Sequence, residues 1–364
     1  MVYFEIMTSE ERRLARYNRR QVKRNHDIVK YDDCFTFSHL WHSARKCYKG
    51  VGWKTSVKNF KRRAFSNVTH SYFVMKDRKH KPEKPHKFTI HNRGKDREVE
   101  GLTIGERVIQ KCFCDYGLVD NVSKSLIYDN YATLKGKGSW LCLKRLKKRY
   151  GEFMKKHKEN GYILIMDFHN YFYSIDHKRL YSMIKKYMDD DSFVFYESIV
   201  DNMKGLNLGS QLSQISAVYF SYMFDETCQR ETVYYGRYMD DSYCMFKSKD
   251  ELKRALPRIM NAIKELGLEI NPKKVKIIKA KSGFTFLKKA IRYEDNKVIM
   301  YPRREFDRVI MRKIKKVNEK VGKEMLICYR PFYIKLNGYK RYLELERETR
   351  LWNESISMKS EMVM

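Results

Sequence analysis

Prolines, which interrupt helices and strands, are scarce in this sequence, and so are closely spaced cysteines, which could form disulfides or bind metal. Only six prolines occur among 364 residues, and of the eight cysteines only Cys112 and Cys114 lie close together. No second cysteine pair follows at zinc-finger spacing, which favours reduced, packed thiols over a metal site or disulfides. No apolar run approaches the roughly 18 residues that span a bilayer, and the N-terminal residues lack the apolar stretch of a secretory signal. We therefore expect a cytoplasmic protein that does not insert into a membrane.

Acidic residues are also few relative to basic ones. The chain has 44 Asp and Glu against 76 Lys and Arg, which leaves a formal net charge of +32. A field of this strength attracts polyanions, and phosphate contacts dominate the affinity of proteins for nucleic acid. Nucleic acid is therefore the first candidate partner, and an anionic membrane surface is the rival. Apolar residues make up 43% of the chain, which excludes a disordered protein.

The chain shows no internal repeat and no low-complexity tract. Residues 8 to 75 have a basic, helical pattern, in which Trp53, Phe60 and Phe65 alternate with lysine and arginine. This mixture suits either a solvated helix face or contact with nucleic acid, and the pattern leaves both open. Residues 76 to 87 are predicted to be an exposed, basic connection.

Hydrophobic spacing and turn residues predict the remaining elements. In chain order, we expect two strands within 88–99, a helix at 103–117, a buried strand at 161–168, a helix with Ser174 as its N-cap, a helix at 211–230, a hairpin around Asp240 and Asp241, a helix at 249–266, strands at 268–271 and 274–280, and helices within 303–360. The alternation predicts an α+β fold, in which an antiparallel sheet is backed by helices and helical units lie at both ends.

Asp240 and Asp241 are adjacent in the predicted hairpin, and aromatic and apolar residues flank them. Adjacent carboxylates repel each other, and desolvated carboxylates need a positive partner. Asp167 ends the apolar run YILIM, so it can meet the pair where strand and hairpin are neighbours. Three such carboxylates form an all-oxygen site suited to Mg²⁺. Two ions about 3.5–4 Å apart would activate an attacking hydroxyl and stabilise the leaving oxygen, which predicts phosphoryl transfer.

Several segments, taken in order and spacing, resemble reverse transcriptases. Residues 238–241 resemble the Y-x-D-D hairpin of that family, and residues 167–172 resemble its first catalytic segment, an Asp with an aromatic residue five positions later. Further similar blocks lie at residues 93–97, 105–110, 205–214, 267–274 and 283–287. The resemblance runs from about residue 40 to about residue 345.

The resemblance implies a right-hand polymerase fold with fingers, a palm and a small helical thumb. The corresponding segments of this chain are a basic helical N-terminal part at 1–80, fingers at 81–160, a palm at 161–301 and a helical thumb at 302–364.

The resemblance also implies roles for individual residues. Asp167, Asp240 and Asp241 would bind two metal ions, Mg²⁺ or alternatively Mn²⁺, and the backbone carbonyl of Phe168 would be a further ligand. The nucleotide would be held by Lys95 and Arg97 at the triphosphate, by Phe172 under the sugar and by the block containing Leu208 and Gly209. Lys274 is the candidate acid that protonates pyrophosphate, with Lys273 close behind.

Plainer interpretations of these residues stay open. Lys95 and Arg97 also suit a simple basic turn, Phe172 a core aromatic, and Lys274 a solvated lysine. Asp176 and His177 are assigned to the first turn of a helix, where an Asp suits the helix dipole.

The block at 205–214 departs from the usual form of the family. Intron and retroviral members usually carry a Gln that touches the nucleotide, where this chain has Leu208, and the block here ends in Ser213 and Gln214. This form resembles the reverse transcriptases of diversity-generating retroelements and some phage and defence-associated enzymes. An aliphatic side chain makes no hydrogen bond to the nucleotide, so low fidelity is a hypothesis.

The resemblance therefore implies an RNA-directed DNA polymerase that adds dNTPs to the 3′ end of a DNA or RNA primer on a dedicated RNA template. An accessory protein is a further expected partner. An alternative with the same chemistry is untemplated or repetitive DNA synthesis in phage defence. An alternative from another class is a non-catalytic RNA-binding module, which the presence of all three carboxylates disfavours.

Overall fold

A computed structural model of the chain describes residues 28–92, 95–157, 160–272, 274–302, 304–335 and 339–361. The basic helix predicted before residue 28 lies outside this part. The chain divides into two compact units. The first unit takes residues up to 138, 166–242 and 255–274, and the second takes residues 139–165, 243–254 and those from 275 onward. The division therefore passes through strands and a helix, and each unit is built from segments distant in sequence.

The N-terminal part of the first unit is helical. It contains α1 (Tyr31–Cys34), α2 (Phe37–Tyr48), α3 (Thr55–Arg62) and α4 (Ala64–Lys76). The strands β1 (His86–Asn92) and β2 (Lys95–Gly101) then pair antiparallel, with Phe88 opposite Val99, as the sequence predicted. The connection before β1 is largely exposed, as predicted, although the His80 side chain is buried and its Nε2 lies 3.0 Å from the Glu106 carboxylate.

Helix α5 (Ile104–Phe113) confirms the helix predicted at 103–117, and a π-helical turn (Cys114–Leu118) and α6 (Val119–Ser123) continue it. Thr103 caps α5 by accepting a hydrogen bond from the backbone N–H of Glu106 at 3.2 Å. Val108 and Cys112 lie on one helix face and are fully buried.

The rest of the first unit carries the middle helices, of which the one at residues 190–201 was not predicted from the sequence. These are α8 (His177–Ile184), α9 (Asp190–Asp201), α10 (Gln211–Phe220), α11 (Tyr222–Glu231) and the C-terminal part of α12 (Lys249–Glu265). The helix predicted at 211–230 is interrupted at Ser221, whose hydroxyl is hydrogen-bonded to the Tyr171 hydroxyl at 2.5 Å. A side-chain hydrogen bond at a bend of this kind competes with continuous helix.

The prediction that Ser174 caps α8 is wrong. The N-cap is Asp176, whose carboxylate accepts a hydrogen bond from the backbone N–H of Arg179 at 2.8 Å. Ser174 instead ends a 3₁₀ turn (Tyr171–Ser174) and donates to the carbonyl of His169 at 3.0 Å. Both residue types favour caps, so the sequence pattern could not separate them.

A four-stranded sheet has the strand order β4-β5-β3-β6. Its strands are β3 (Tyr162–Asp167), β4 (Tyr235–Tyr238), β5 (Asp241–Phe246) and β6 (Lys276–Lys279). Strands β3 and β6 are antiparallel, with Tyr162 opposite Lys279 and Ile165 opposite Lys276. The strand predicted at 268–271 is not formed, and a bridge between Ile270 and Phe168 stands in its place.

The second unit contains α7 (Ser139–His157), which packs against a three-stranded antiparallel sheet. Its strands are β7 (Phe284–Phe286), β8 (Lys289–Glu294) and β9 (Lys297–Pro302) in the order β7-β8-β9. Tyr150 of α7 is buried and donates a hydrogen bond to the carbonyl of Ala280 at 2.7 Å.

Three helices end the second unit, α13 (Arg304–Ile314), α14 (Glu319–Lys335) and α15 (Tyr339–Glu361). Their common core consists of Ile310, Ile314, Leu326, Tyr333, Tyr342 and Leu345. Helices and antiparallel sheets therefore both contribute, in agreement with the predicted α+β class. None of the helices in the described ranges has the length and apolarity that a bilayer-crossing segment requires.

Candidate active site

The first candidate carboxylate stands at the end of β3. Ile163 and Leu164 are fully buried, and their burial fixes the strand and therefore the position of its last residue. Asp167 is that last residue and is only 5% exposed. Its backbone carbonyl accepts a hydrogen bond from the N–H of Asn271 at 2.9 Å.

The second and third carboxylates lie at the turn between β4 and β5. Met239 and Asp240 form the turn, and Asp241 begins β5. Met239 has a φ of 55°, a left-handed conformation that costs a residue with a Cβ roughly 1–2 kcal/mol. Such a turn persists only when surrounding contacts hold it.

These two elements of the first unit meet at the carboxylates. The backbone N–H of Phe168 donates to the carbonyl of Asp240 at 3.3 Å. Strands β5 and β3 are neighbours in the sheet, and Asp167 lies close enough to Asp240 and Asp241 for its charge to raise the pKa of both. The three residues that the sequence predicted as metal ligands therefore lie together, although Asp167 is more than 70 positions from the other two.

The negative charges of the three carboxylates repel one another. Burial, together with the charges of Asp240 and Asp167, raises the pKa of Asp241 to about 7. Burial and the charge of Asp167 also raise the pKa of Asp240. Both shifts disfavour the ionised forms, so a bound cation would be stabilised here by relief of the repulsion.

Lys274 supplies one positive charge to the cluster. Its Nζ lies 2.7 Å from each carboxylate oxygen of Asp167, and its side chain is 54% exposed. Partial burial lowers the pKa of Lys274, but the hydrogen bond to Asp167 and the nearby carboxylates outweigh this and raise it. Lys273, the second candidate acid, lies outside the described residues.

The donor set fits a hard divalent cation. Carboxylate and carbonyl oxygens are the ligands that Mg²⁺ takes, and all three carboxylates and the Phe168 backbone lie here. In the described ranges, no group of three His, Cys, Asp or Glu side chains is already arranged to hold a metal ion. Ligation would require Asp241 to lose its proton and Lys274 to release Asp167.

Phe168 anchors the backbone next to Asp167. Its ring is 3% exposed, stacks on Tyr171 at 5.0 Å and meets Phe224 edge-on at 5.2 Å. The side chain is therefore a core aromatic, and its backbone is the part of this residue that faces the carboxylate cluster.

Phe172 and the block containing Leu208 are joined through backbone contacts. The N–H of Leu206 donates to the carbonyl of Phe172 at 2.8 Å. Gly205 has a φ of 64°, and a Cβ there would lie 2.6 Å from that carbonyl, so only glycine fits. Phe172 is half-buried and Leu208 is 37% exposed.

Gly209 connects the same block to β2. A Cβ at Gly209 would lie 2.4 Å from the carbonyl oxygen of Glu100, near the end of that strand. Strand β2 also carries Lys95 and Arg97, which are paired in register with Asn92 and Ile90. The side chains of Lys95 and Arg97 lie outside the described residues.

Arg237 supports the turn, and the sequence reasoning missed it. Its guanidinium is fully buried and forks onto the Asp225 carboxylate at 2.6 and 2.7 Å. A third nitrogen donates to the carbonyl of Met239 at 2.9 Å, which holds the left-handed residue in place. The signal in the sequence was a lone arginine within the apolar strand just before the acidic pair.

A second missed network supports the block at 205–214. Gln110 is buried, donates to Glu106 at 2.8 Å and accepts from the Ser210 hydroxyl at 2.6 Å. Ser210 is the N-cap of α10. These contacts connect α5 to the loop that holds Leu208 and Gly209.

Comparison with known proteins gives one family. The model of the reverse transcriptase (RNA-dependent DNA polymerase) family matches residues 91–291, more than half of the chain. The match covers the carboxylate cluster, the block at 205–214, the last two residues of β1 and all of β2. No curated protein sequence is significantly similar to the chain.

The chain therefore belongs to the reverse transcriptase family. This identification makes it an RNA-directed DNA polymerase, a nucleotidyltransferase, whose family implies a right-hand polymerase fold. RNA template, primer and dNTPs are the substrates that such a domain implies, and reverse transcriptases generally use divalent metal ions.

Proposed function

We propose that Asp167, Asp240 and Asp241 form the catalytic centre and bind two Mg²⁺ ions, with Mn²⁺ as an alternative. The observation that supports this most is the meeting of these three carboxylates at the end of β3 and the β4–β5 turn. When bound, the ions would activate the primer 3′ hydroxyl and stabilise the leaving pyrophosphate oxygen.

The remaining roles are assigned to this chain's own residues. The Phe168 carbonyl is a further metal ligand. Lys95 and Arg97 hold the triphosphate, and Phe172 excludes a 2′-hydroxyl beneath the sugar. The link from Gly205 to Phe172, and from Gly209 to β2, supports one nucleotide-binding surface that includes Leu208.

Lys274 is proposed to have two positions. In the metal-free protein its ammonium pairs with Asp167 at 2.7 Å. With metal and nucleotide bound, it is free to protonate the leaving pyrophosphate, which its exposed side chain and raised pKa allow.

The experiment that tests the catalytic centre is primer extension on an RNA template with Mg²⁺ and dNTPs. Asp240→Asn should abolish nucleotide addition and retain RNA binding, because it removes a ligand charge but keeps the shape. The matched control is Asp190→Asn, at an exposed aspartate on α9, which should extend primers like the wild type. Wild-type extension by Asp240→Asn would refute the assignment.

We further propose that the enzyme copies a dedicated RNA in a diversity-generating retroelement, together with an accessory protein. The form of the block at 205–214, with Leu208 and a terminal Ser213-Gln214, supports this. Sequencing the bound RNA and the DNA product tests the proposal. A product that matches one co-purified RNA supports it, and repetitive DNA that matches no bound RNA supports a role in phage defence instead.

A further inference from the structure

The first unit carries a second surface whose chemistry suits nucleic acid, and it lies on elements other than those of the carboxylate cluster. Helices α2 and α4 pack side by side, with Leu40 and Ala44 of α2 and Val68 and Met75 of α4 buried. Residues 37 to 76 precede the part of the chain that the family model matches.

Aromatic rings gather on these helices outside the buried positions. We name as the aromatic face the set Phe37, Trp41, Phe65, Tyr72 and Phe73. The Phe37 ring is the centre of the set, since it lies 6.2 Å from Trp41, 5.8 Å from Phe65 and 6.2 Å from Tyr72. The Tyr72 and Phe73 rings are 5.4 Å apart.

The aromatic face is open to solvent. Phe65 is 68% exposed and Phe73 is 54% exposed, and the other three rings are half-buried. Within residues 37–76, all of which are described, the exposed large apolar side chains are Trp53, Phe65 and Phe73, and each is aromatic. A membrane-binding face would also present exposed aliphatic residues such as leucine, whereas base stacking uses rings.

The segment that carries the aromatic face has charged residues of one sign, although Asp115 of the π-helical turn pairs with its Lys46 at 2.7 Å. Residues 37 to 76 contain no Asp or Glu, and their cations are Arg45, Lys46, Lys49, Lys54, Lys58, Lys61, Arg62, Arg63 and Lys76. Trp41 and Arg45 are one helical turn apart, as are Tyr72 and Lys76, so a cation lies one turn beyond each of these two rings. Arg45, Arg62 and Lys76 are exposed, and in the described ranges no carboxylate pairs with them.

We propose that the aromatic face binds single-stranded RNA. The bases stack on the exposed rings of Phe65 and Phe73, and the phosphates contact the flanking cations. Proteins that bind single strands without sequence preference generally combine two features. Aromatic rings stack on any base, and positive charges contact the phosphate backbone of the nucleic acid. This proposal rests on the proposed function in one respect: the polymerase function is the reason for choosing RNA over other polyanions.

The test measures RNA binding with the primer–template site already filled. The full chain carrying Asp240→Asn is saturated with an unlabelled primer–template hairpin, and a fluorescein-labelled 12-nucleotide oligouridine is then titrated while its anisotropy is followed. Phe65→Ala with Phe73→Ala should weaken binding by about tenfold or more, since each stacked base contributes about 1–3 kcal/mol. Phe65→Trp with Phe73→Trp should restore it.

The control is Val194→Ala with Met223→Ala, which truncates two exposed apolar residues elsewhere in the first unit and should leave binding unchanged. Arg62→Gln and Lys76→Gln should each reduce the salt dependence of binding by about one counterion. Thermal unfolding checks that the variants are folded, which is expected because the substituted side chains are exposed.

Unchanged oligouridine binding by the folded alanine pair would overturn the proposal. The proposal would also be overturned if the alanine pair lost binding to phosphatidylserine vesicles but kept RNA binding, because the aromatic face would then be a membrane-binding surface. Primer extension separates this result from the proposed function. The alanine pair without the Asp240 substitution should still extend a short hairpin template, whereas Asp240→Asn should bind oligouridine and extend nothing.

Discussion

At the scale of single residues, the carboxylate cluster is destabilised by its own charge in the absence of metal. Asp167, Asp240 and Asp241 are largely buried. Their negative charge is partly offset by Lys274, which is bonded to Asp167, and at Asp240 also by Arg237. Burial of like charges disfavours the charged state, so the metal-free fold is destabilised here and a bound cation would relieve the repulsion. Sites that are strained in this way are expected at functional positions.

Asp241→Asn should stabilise the metal-free protein at high pH. The folded pKa of Asp241, about 7, lies above its value in an unfolded chain, 3.8. Ionised Asp241 therefore costs stability fully above pH 7, partly between these values and not at all below them. We expect a gain of about 2–4 kcal/mol in unfolding free energy at pH 8 that disappears near pH 3.5.

Urea unfolding in EDTA at the two pH values measures this gain. Asp190→Asn, at an exposed carboxylate, is the matched substitution and should change stability little at either pH. A gain for Asp241→Asn that is equal at both pH values would contradict the origin in charge.

Leu208 bears on fidelity. The residue is 37% exposed and lies in the block that is connected to Phe172 and β2. An aliphatic side chain offers no hydrogen bond to a nucleotide, so Leu208→Gln should lower the misincorporation frequency several-fold. Sequencing of products from a defined RNA template measures the error rate. Equal error rates for the two proteins would remove the hypothesis.

At the scale of elements, the β4–β5 turn depends on a buried ion pair. Asp225 on α11 accepts from Arg237 on β4 and from the hydroxyl of Tyr235 at 2.5 Å, and Arg237 in turn holds the carbonyl of Met239. The turn that presents Asp240 and Asp241 is therefore held by Arg237, whose guanidinium is itself fixed by Asp225.

Arg237→Lys should act on this turn while it keeps the charge. A lysine cannot fork onto Asp225 and reach Met239 together, so the turn loses its donor. We expect kcat for primer extension to fall by about tenfold to a hundredfold, as small displacements of reacting groups do, with the KM for dNTP little changed. Arg237→Met should also destabilise the fold by about 3–5 kcal/mol, because it leaves Asp225 buried and unpaired.

Steady-state kinetics below the unfolding temperature separates the two effects. An equal fall in kcat and in the folded fraction of Arg237→Lys would indicate a purely structural role. Arg258→Lys is the matched control, because Arg258 also forks onto a carboxylate, that of Glu231 at 2.6 and 2.7 Å, but its side chain is 61% exposed.

Secondary-structure prediction succeeded where the hydrophobic pattern favoured one type of element. The buried run before Asp167 predicted a strand and the paired runs around Asp240 and Asp241 predicted a hairpin, and both formed. The prediction failed where neighbouring residues offered the same local chemistry. Asp176 took the cap expected of Ser174, and a tertiary bridge from Phe168 replaced the strand expected at 268–271.

At the scale of the whole molecule, the sequence predicted the reverse transcriptase family and the meeting of three distant carboxylates. It could not predict what holds the carboxylates or the block at 205–214, because Asp225 and Gln110 gain their respective roles only through contacts made on folding. Nor could composition locate the excess of positive charge, which is +32 over the chain. Nine of the cations belong to residues 37 to 76, the segment that also carries the exposed rings of Trp53, Phe65 and Phe73.

The central claim is that Asp167, Asp240 and Asp241 bind the divalent ions of the reaction. Electron paramagnetic resonance of Mn²⁺, titrated into the protein with primer–template and a non-hydrolysable dNTP, tests it most directly. We predict two bound ions for the wild type and for Asp190→Asn, and weak or absent binding when all three carboxylates are changed to asparagine. Equal Mn²⁺ binding by the triple variant would contradict the account.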